Sequence, residues 1–281
     1  MDSLLLWIVV FTAMGGVLSV SGAGLFLVLP RHLADRILPS LVSFAIGALL
    51  GAAFLGLLPH ALENPKVTDV HDITFTVLIG LLVFFVLEKM VLWRHCHHAE
   101  CEAHGTELHA DHDHDHDHDH HHGHGPVAAA NNDVSAGKLI LVGDAMHNLV
   151  DGVLIAAAFL VDVHLGMVTA LAVIAHEIPQ EVGDFAILLQ GGMSRSKAFM
   201  FNILSGLTSV IGGVLAYFFL ADAESAVPYV LALAASSFIY IAVADLIPGL
   251  HKRTDISETL AQVSLIGAGV VVIYFVHSSL H

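Results

Sequence analysis

Long apolar runs separated by short polar breaks make up almost the whole chain. Eight of the runs are long enough to cross about 30 Å of hydrocarbon as helix, which takes roughly 20 residues each. They fall near residues 3–29, 37–62, 73–93, 138–161, 165–190, 197–220, 228–250 and 258–280. This pattern predicts an all-α polytopic membrane protein with one transmembrane domain over residues 1–281. The first run follows Met-Asp-Ser with no basic stretch before it and no small-residue cleavage site, so it is expected to be a retained span, not a signal peptide. Gly15, Gly16, Gly22 and Gly24 in the first run, and Gly47 and Gly51 in the second, are expected to let helix backbones approach closely.

The polar breaks set an orientation. Arg31 and Arg36 lie in the first, Lys89, Arg94 and Lys138 flank the third, Arg195 and Lys197 mark the fifth, and Lys252 and Arg253 the seventh. Of the ten Lys and Arg residues only Lys66 lies in an even-numbered break, so the odd breaks are expected to be cytoplasmic and both termini outside. Only the third break is long. Residues 95–125 form a low-complexity, histidine-rich stretch, and thirteen of the 22 histidines lie between His95 and His124. It cannot bury an apolar core and is expected to be a disordered cytoplasmic loop that gathers or senses metal. A tag-like expansion with no essential role is the plainer alternative.

Composition sharpens this picture. Hydrophobic residues make up 56% of the 281 positions and charged residues 13%, against about 25% charged in an ordinary soluble domain. The formal charge of −16 comes largely from acids alternating with histidines in the loop, so the expected cationic partner is a metal ion. Nucleic acid is excluded as a partner, because it would need clustered Lys and Arg. Cys96 and Cys101 lie in the same loop. Facing a reducing cytoplasm, they suit metal binding better than a disulfide.

Polar residues inside the spans carry the candidate chemistry, since ionisable groups in a bilayer core are costly and mark substrate paths. In the fourth span Asp144, His147 and Asp151 fall within roughly 60° on one helix face, with Asn148 beside them. Counted from Lys138 at 1.5 Å per residue, His147 and Asp151 straddle the midplane, at about 13 and 20 Å. In the fifth span His176, Glu177, Gln180, Glu181 and Asp184 fan over roughly 140°, and Pro179 is expected to kink the helix. A lone histidine here would be read as a packing or hydrogen-bonding residue. Imidazoles, carboxylates and amides brought to one depth on facing helices point instead to a metal site. Such donors suit Zn²⁺ first, with Fe²⁺, Mn²⁺ or Cd²⁺ compatible, and without thiolate they do not suit Cu(I). His60 and His71, near the outer end of the second span, are either entrance ligands or ordinary interfacial histidines. Asp245 near the inner end of the seventh span could cap a helix, pair with a base or line an exit.

At these motifs the chain resembles the ZIP (Zrt/Irt-like) family of divalent metal transporters, and within it the histidine-rich-loop subgroup. The pieces that carry the resemblance are HNLVDG at 147–152, HEIPQEVGDF at 176–185, GLLVFFVLEK at 80–89 and FIYIAVADLIP at 238–248. Eight spans, outside termini and a long loop after the third match as well. The resemblance implies a bound and transported Zn²⁺, with no catalytic cofactor and no enzymatic activity. It also implies a two-metal site with ligands from His147, Asn148 and Asp151 on the fourth span and His176, Glu177 and Gln180 on the fifth, with Glu181 close by. A homodimer is implied, as is an elevator-like motion of spans 1, 4, 5 and 6 against spans 2, 3, 7 and 8. Metal would be imported across the cell membrane, expected here to be a bacterial inner membrane. Two departures stand out. Gln180 occupies a position where many members of the subgroup carry His, and Ala52 and Gly56 stand where Asp and His often precede the Pro-His of the second span.

Two other functions share some of these features. A cation-diffusion-facilitator exporter also has His-rich loops and an H-x-x-x-D motif, but eight spans, outside termini and the Pro of HEIPQE argue against it. An intramembrane zinc protease would need a second His four residues after His176, and position 180 is Gln.

Overall fold

The computed structural model describes residues 2–95, 127–251 and 255–279. The segment with Cys96, Cys101 and most of the histidine run lies outside these residues, as do Lys252 and Arg253. All regular structure among the described residues is helical. The first span is Asp2–Phe26, the third Val70–His95, the fourth Val127–Val161, the fifth Val163–Gln190 and the eighth Ile256–Ser279. Three spans are interrupted. The second runs as Arg31–Gly51, a π-helical turn Ala52–Leu57, and Leu58–Leu62; the sixth as Arg195–Gly206 and Thr208–Asp222; the seventh as Val227–Tyr240, a π-helical turn Ile241–Leu246, and Ile247–Leu250.

Each interruption has a local cause. Pro59 and Pro248 follow the two π turns. A proline has no N–H to give and crowds the carbonyl four residues back, so the preceding turn widens to accommodate it. Ala52 and Gly56 sit, buried, in the first of these turns. At the break in the sixth span the Thr208 hydroxyl donates to the Ser205 carbonyl at 2.7 Å and to the Ala145 carbonyl of the fourth span at 2.6 Å. The fifth helix runs unbroken through Pro179.

Seven of the spans are long and apolar enough to cross a membrane. The eighth candidate, the fifth helix, is less apolar because it carries His176, Glu177 and Gln180. The second helix begins six residues before the predicted start, since Pro30 at its N-cap sends the polar stretch RHLADR into helix. The fourth begins eleven residues early and projects beyond the apolar run. Large side chains left exposed on the third and eighth spans, such as Phe75, Leu82, Leu260 and Phe275, form a surface for hydrocarbon.

The closest crossings sort seven of the spans into three sets. A methyl group on Gly16 would strike the backbone of Gly206, one on Gly152 the Ser209 carbonyl, and one on Gly212 the Leu149 carbonyl. These join the first, fourth and sixth spans. A methyl group on Gly47 would strike the Ile266 carbonyl, one on Gly269 the Phe44 carbonyl, and one on Gly80 the Ser236 hydroxyl. These join the second span to the eighth and the third to the seventh. At Gly56, where the second span faces the fifth, a methyl group would meet only the side chains of Leu165 and Val168.

A backbone carbonyl cannot rotate aside, so Gly152→Ala should destabilise the fold by about 1–3 kcal/mol, the usual cost of overpacking. Gly143→Ala, where nothing lies within 4 Å, should not. Thermal unfolding of the two variants in one detergent compares them directly, and equal stability would contradict the close crossing at Gly152.

Candidate metal site between the fourth and fifth spans

A two-helix hairpin places the site. Asp162 separates the fourth and fifth helices, and its carboxylate caps the fifth by accepting from the backbone N–H of His164 at 2.8 Å and Leu165 at 3.1 Å. The turn is so short that the helices must run antiparallel side by side. His147 lies fifteen residues before Asp162 and His176 fourteen after it, so a constant rise brings them to one level.

At that level four side chains converge. His147 Nε2 lies 3.4 Å from His176 Nε2, 3.2 Å from Glu177 Oε1 and 3.7 Å from Asp151 Oδ2. His176 Nε2 lies 3.4 Å from Asp151 Oδ2 and 3.7 Å from Glu177 Oε1. Ligands about 2.0–2.1 Å from a tetrahedral Zn²⁺ are about 3.3–3.4 Å from one another. The observed spacings bracket that value, so an ion fits with little rearrangement. The ring of His176 is already oriented, because its Nδ1 lies 3.1 Å from the Ala172 carbonyl. Donation there leaves Nε2 as the lone pair that faces the other three groups.

The site is deeply buried. Asp151, His176 and Glu177 are each 1% exposed. No oxygen of Asp151 or Glu177 has a well-formed hydrogen bond among the described residues. Buried carboxylates left in that state are costly unless a cation is bound. His147 is the partly exposed member, and with His176 and Gln180 it lines a cavity of about 1260 Å³. Asp35, Glu88 and Asp245 line the same cavity, and the Tyr240 hydroxyl donates to Glu88.

Three residues expected as ligands lie beside this cluster. Asn148 is buried, and its amide donates to the Asp144 carboxylate at 2.9 Å, so it orients a carboxylate. Gln180 faces the cavity one turn after His176. Glu181, completely buried, groups with Asp144 and Glu177. Sequence reasoning missed Asn202 and Ser205, both buried on the sixth span. The signal was available, as two polar residues three apart in an apolar span share a helix face. At the opposite end, His60 meets the ring of His277 edge-on at 5.5 Å and its Nδ1 lies 2.8 Å from the Gly56 carbonyl. His71 pairs with Asp69 on the surface.

The chain matches the family described as ZIP Zinc transporter over residues 4–277. It belongs to the ZIP family. It is 30% identical to zinc transporter zipt-7.1 of Caenorhabditis briggsae over 98% of this chain and 80% of that one. It is 31% identical to zinc transporter ZIP13 of Mus musculus, with 92% and 77% of the two chains covered. With zinc transporter ZIP13 of Homo sapiens the identity is again 31%, with 92% and 78% covered. ZIP membership and the long apolar helices make this a multi-pass membrane protein.

Gln180 gives the site its most direct test of selectivity. Replacing its amide with imidazole adds a nitrogen donor one turn from His176. Gln180→His should tighten Zn²⁺ binding and lower Mn²⁺ relative to Zn²⁺, since Mn²⁺ prefers oxygen. Competition between the two ions in equilibrium binding measures it, and an unchanged ratio with unchanged Zn²⁺ affinity would place Gln180 away from the ion.

Proposed function

We propose that the chain imports zinc into the cytoplasm through the site formed by His147, Asp151, His176 and Glu177. The observation that carries this reading is the convergence of two imidazole nitrogens and two carboxylates without hydrogen bonds at one level of the fourth and fifth helices. Membership of a zinc transporter family supports zinc as the cargo. A carrier, and not an enzyme, is the reading that kinship with zinc transporters supports.

Import is the direction that the family resemblance implies, and the orientation is compatible with it. Asp35, Glu88 and Gln190 stand at the ends of spans that the basic residues assign to the cytoplasm, and they line the cavity that reaches His147. On the opposite side Leu57, Ala61, Leu165 and Val168 are completely buried and close the path. This is the arrangement of an inward-open carrier. The glycine crossings support an elevator-like motion, since they lock the first, fourth and sixth spans together and the second, third, seventh and eighth in pairs. Contacts between the groups are side chain against side chain at Gly56, and such surfaces can slide. The proposal keeps the homodimer and the two-metal site, with Glu177 as the ligand the two ions share. The relatives named above are animal proteins and lend the expected bacterial inner membrane no support, so the proposed location is a membrane bordering the cytoplasm.

Replacing His147, Asp151 or His176 by Ala should abolish saturable Zn²⁺ uptake while expression and membrane insertion persist, because each supplies a ligand in a site that water cannot fill. Radioactive zinc flux into vesicles of fixed orientation tests both the site and the direction. Near-normal uptake by all three variants would sink the assignment.

A further inference from the structure

We infer that His60 and His277 form a zinc-binding site of their own, with water completing the coordination, at the end of the bundle opposite the cavity. The transport reading supplies its place on the route, as a stop before the closed outer path. The binding itself stands without that reading.

The two rings arrive from different helices. His60 lies in the short segment Leu58–Leu62 that ends the second span, and His277 in the last turn of the eighth, Ile256–Ser279. Their centroids are 5.5 Å apart, with the ring planes at 80°. His147 and His176, the two imidazoles of the candidate metal site, have centroids 5.6 Å apart and planes at 89°. The outer pair thus repeats the geometry of the inner one. Two imidazole nitrogens bound about 2.0–2.1 Å from one tetrahedral Zn²⁺ put their ring centroids about 5 Å apart. Both pairs are therefore set for a shared ion.

The hydrogen bonding repeats as well. His60 Nδ1 lies 2.8 Å from the Gly56 carbonyl in the π-helical turn before it, as His176 Nδ1 lies 3.1 Å from the Ala172 carbonyl. Donation from Nδ1 fixes the tautomer and leaves Nε2 as the metal-binding lone pair. Packing then holds the distance. The second and eighth spans touch at Gly47 and Gly269, where a methyl group would strike backbone, and Gly51 faces Ile273 one turn before His277. A donor pair on helices locked in this way gives up little freedom when an ion binds.

Chemistry and position define the role. Both protein donors are imidazole nitrogens, which suit zinc, whereas Ca²⁺ and Mg²⁺ prefer oxygen. With two protein ligands and open positions for water, the pair holds zinc more weakly than the four groups around His147, and so can release it inward. His60 is half-buried, and its neighbours Leu57 and Ala61 are completely buried members of the layer that closes the path. The pair selects zinc and keeps it where that layer has to open.

The test uses the full chain carrying Asp151→Ala, which blocks passage, in vesicles oriented with His60 and His277 facing the bath. The histidine-rich stretch follows the opposite end of the third span, so the vesicle encloses it. Radioactive zinc is added outside with excess Ca²⁺, and an impermeant chelator then strips what is bound at the outer face. His60→Gln and His277→Gln should each remove one equivalent of strippable zinc per chain, and the double variant should lose no more than either alone. Glutamine keeps the size and hydrogen bonding that a purely packing histidine would need, yet is a poor zinc ligand. If His60→Gln does not fold, His277→Gln in the last helical turn carries the test by itself. Full retention of strippable zinc by the folded variants would overturn the site, and so would losses that add in the double variant. Zinc that crosses despite Asp151→Ala appears as chelator-resistant counts, and that result would count against the transport reading alone.

Discussion

Buried carboxylate is the constraint around which the rest of the molecule is arranged. Asp144, Asp151, Glu177 and Glu181 are each at most 5% exposed, deep in an apolar bundle. In such surroundings an unpaired charge costs several kcal/mol even after relaxation. A protein designed only for stability would use apolar side chains there. Keeping four acids, two imidazoles and several amides at one depth makes sense if their compensation arrives from outside as a cation. The same lack of internal partners that weakens the empty bundle creates affinity for the ion.

The hairpin at Asp162 determines which groups meet. Its two capping bonds end the turn within one residue, and the nearly equal chain lengths on either side bring His147 level with His176. A longer turn would let the two helices slide, and a shift of one residue would rotate each face by about 100° away from the other. The third helix in the arrangement, the sixth, comes close because Gly152 and Gly212 carry no side chain at the crossing. That approach brings Ser205 to Asp144. Packing glycines and metal ligands are therefore parts of one construction, and HNLVDG contains both kinds.

Much of this was legible in the sequence because its signals are local. Span number follows from apolar run length. The shared face of His147 and Asp151 follows from helical period, and so does the position of His176 beside Glu177. Breaks within spans were harder to see. A widened turn before Pro59 or Pro248 needs only one extra residue and leaves the apolar run intact. The early starts of the second and fourth helices were hidden because polar residues can be helical beyond the apolar layer. The hydrogen bond from the Asn148 amide to Asp144 also escaped, since spacing places the two residues one turn apart but cannot show that they are engaged. Asn202 and Ser205 were overlooked because short polar residues in an apolar span usually satisfy themselves against their own backbone, as Thr12 and Ser19 do here.

All four groups around the first ion position belong to the fourth and fifth spans. The far wall of the cavity is different, for Asp35, Glu88, Tyr240 and Asp245 belong to the second, third and seventh spans. Ligands and far wall thus belong to different spans. An ion held by ligands from one side only can be carried past the wall with its coordination unbroken. In the proposed elevator-like motion, the barrier would be set by side chains sliding over one another, not by stripping the ion of donors. A site shared between the moving and fixed spans would have to lose ligands at each stroke, at a cost of several kcal/mol in a dry interior. Placing every proposed donor on one side would remove that cost from the moving step. It leaves the strength of binding to be tuned separately, by residues such as Gln180 that face the cavity.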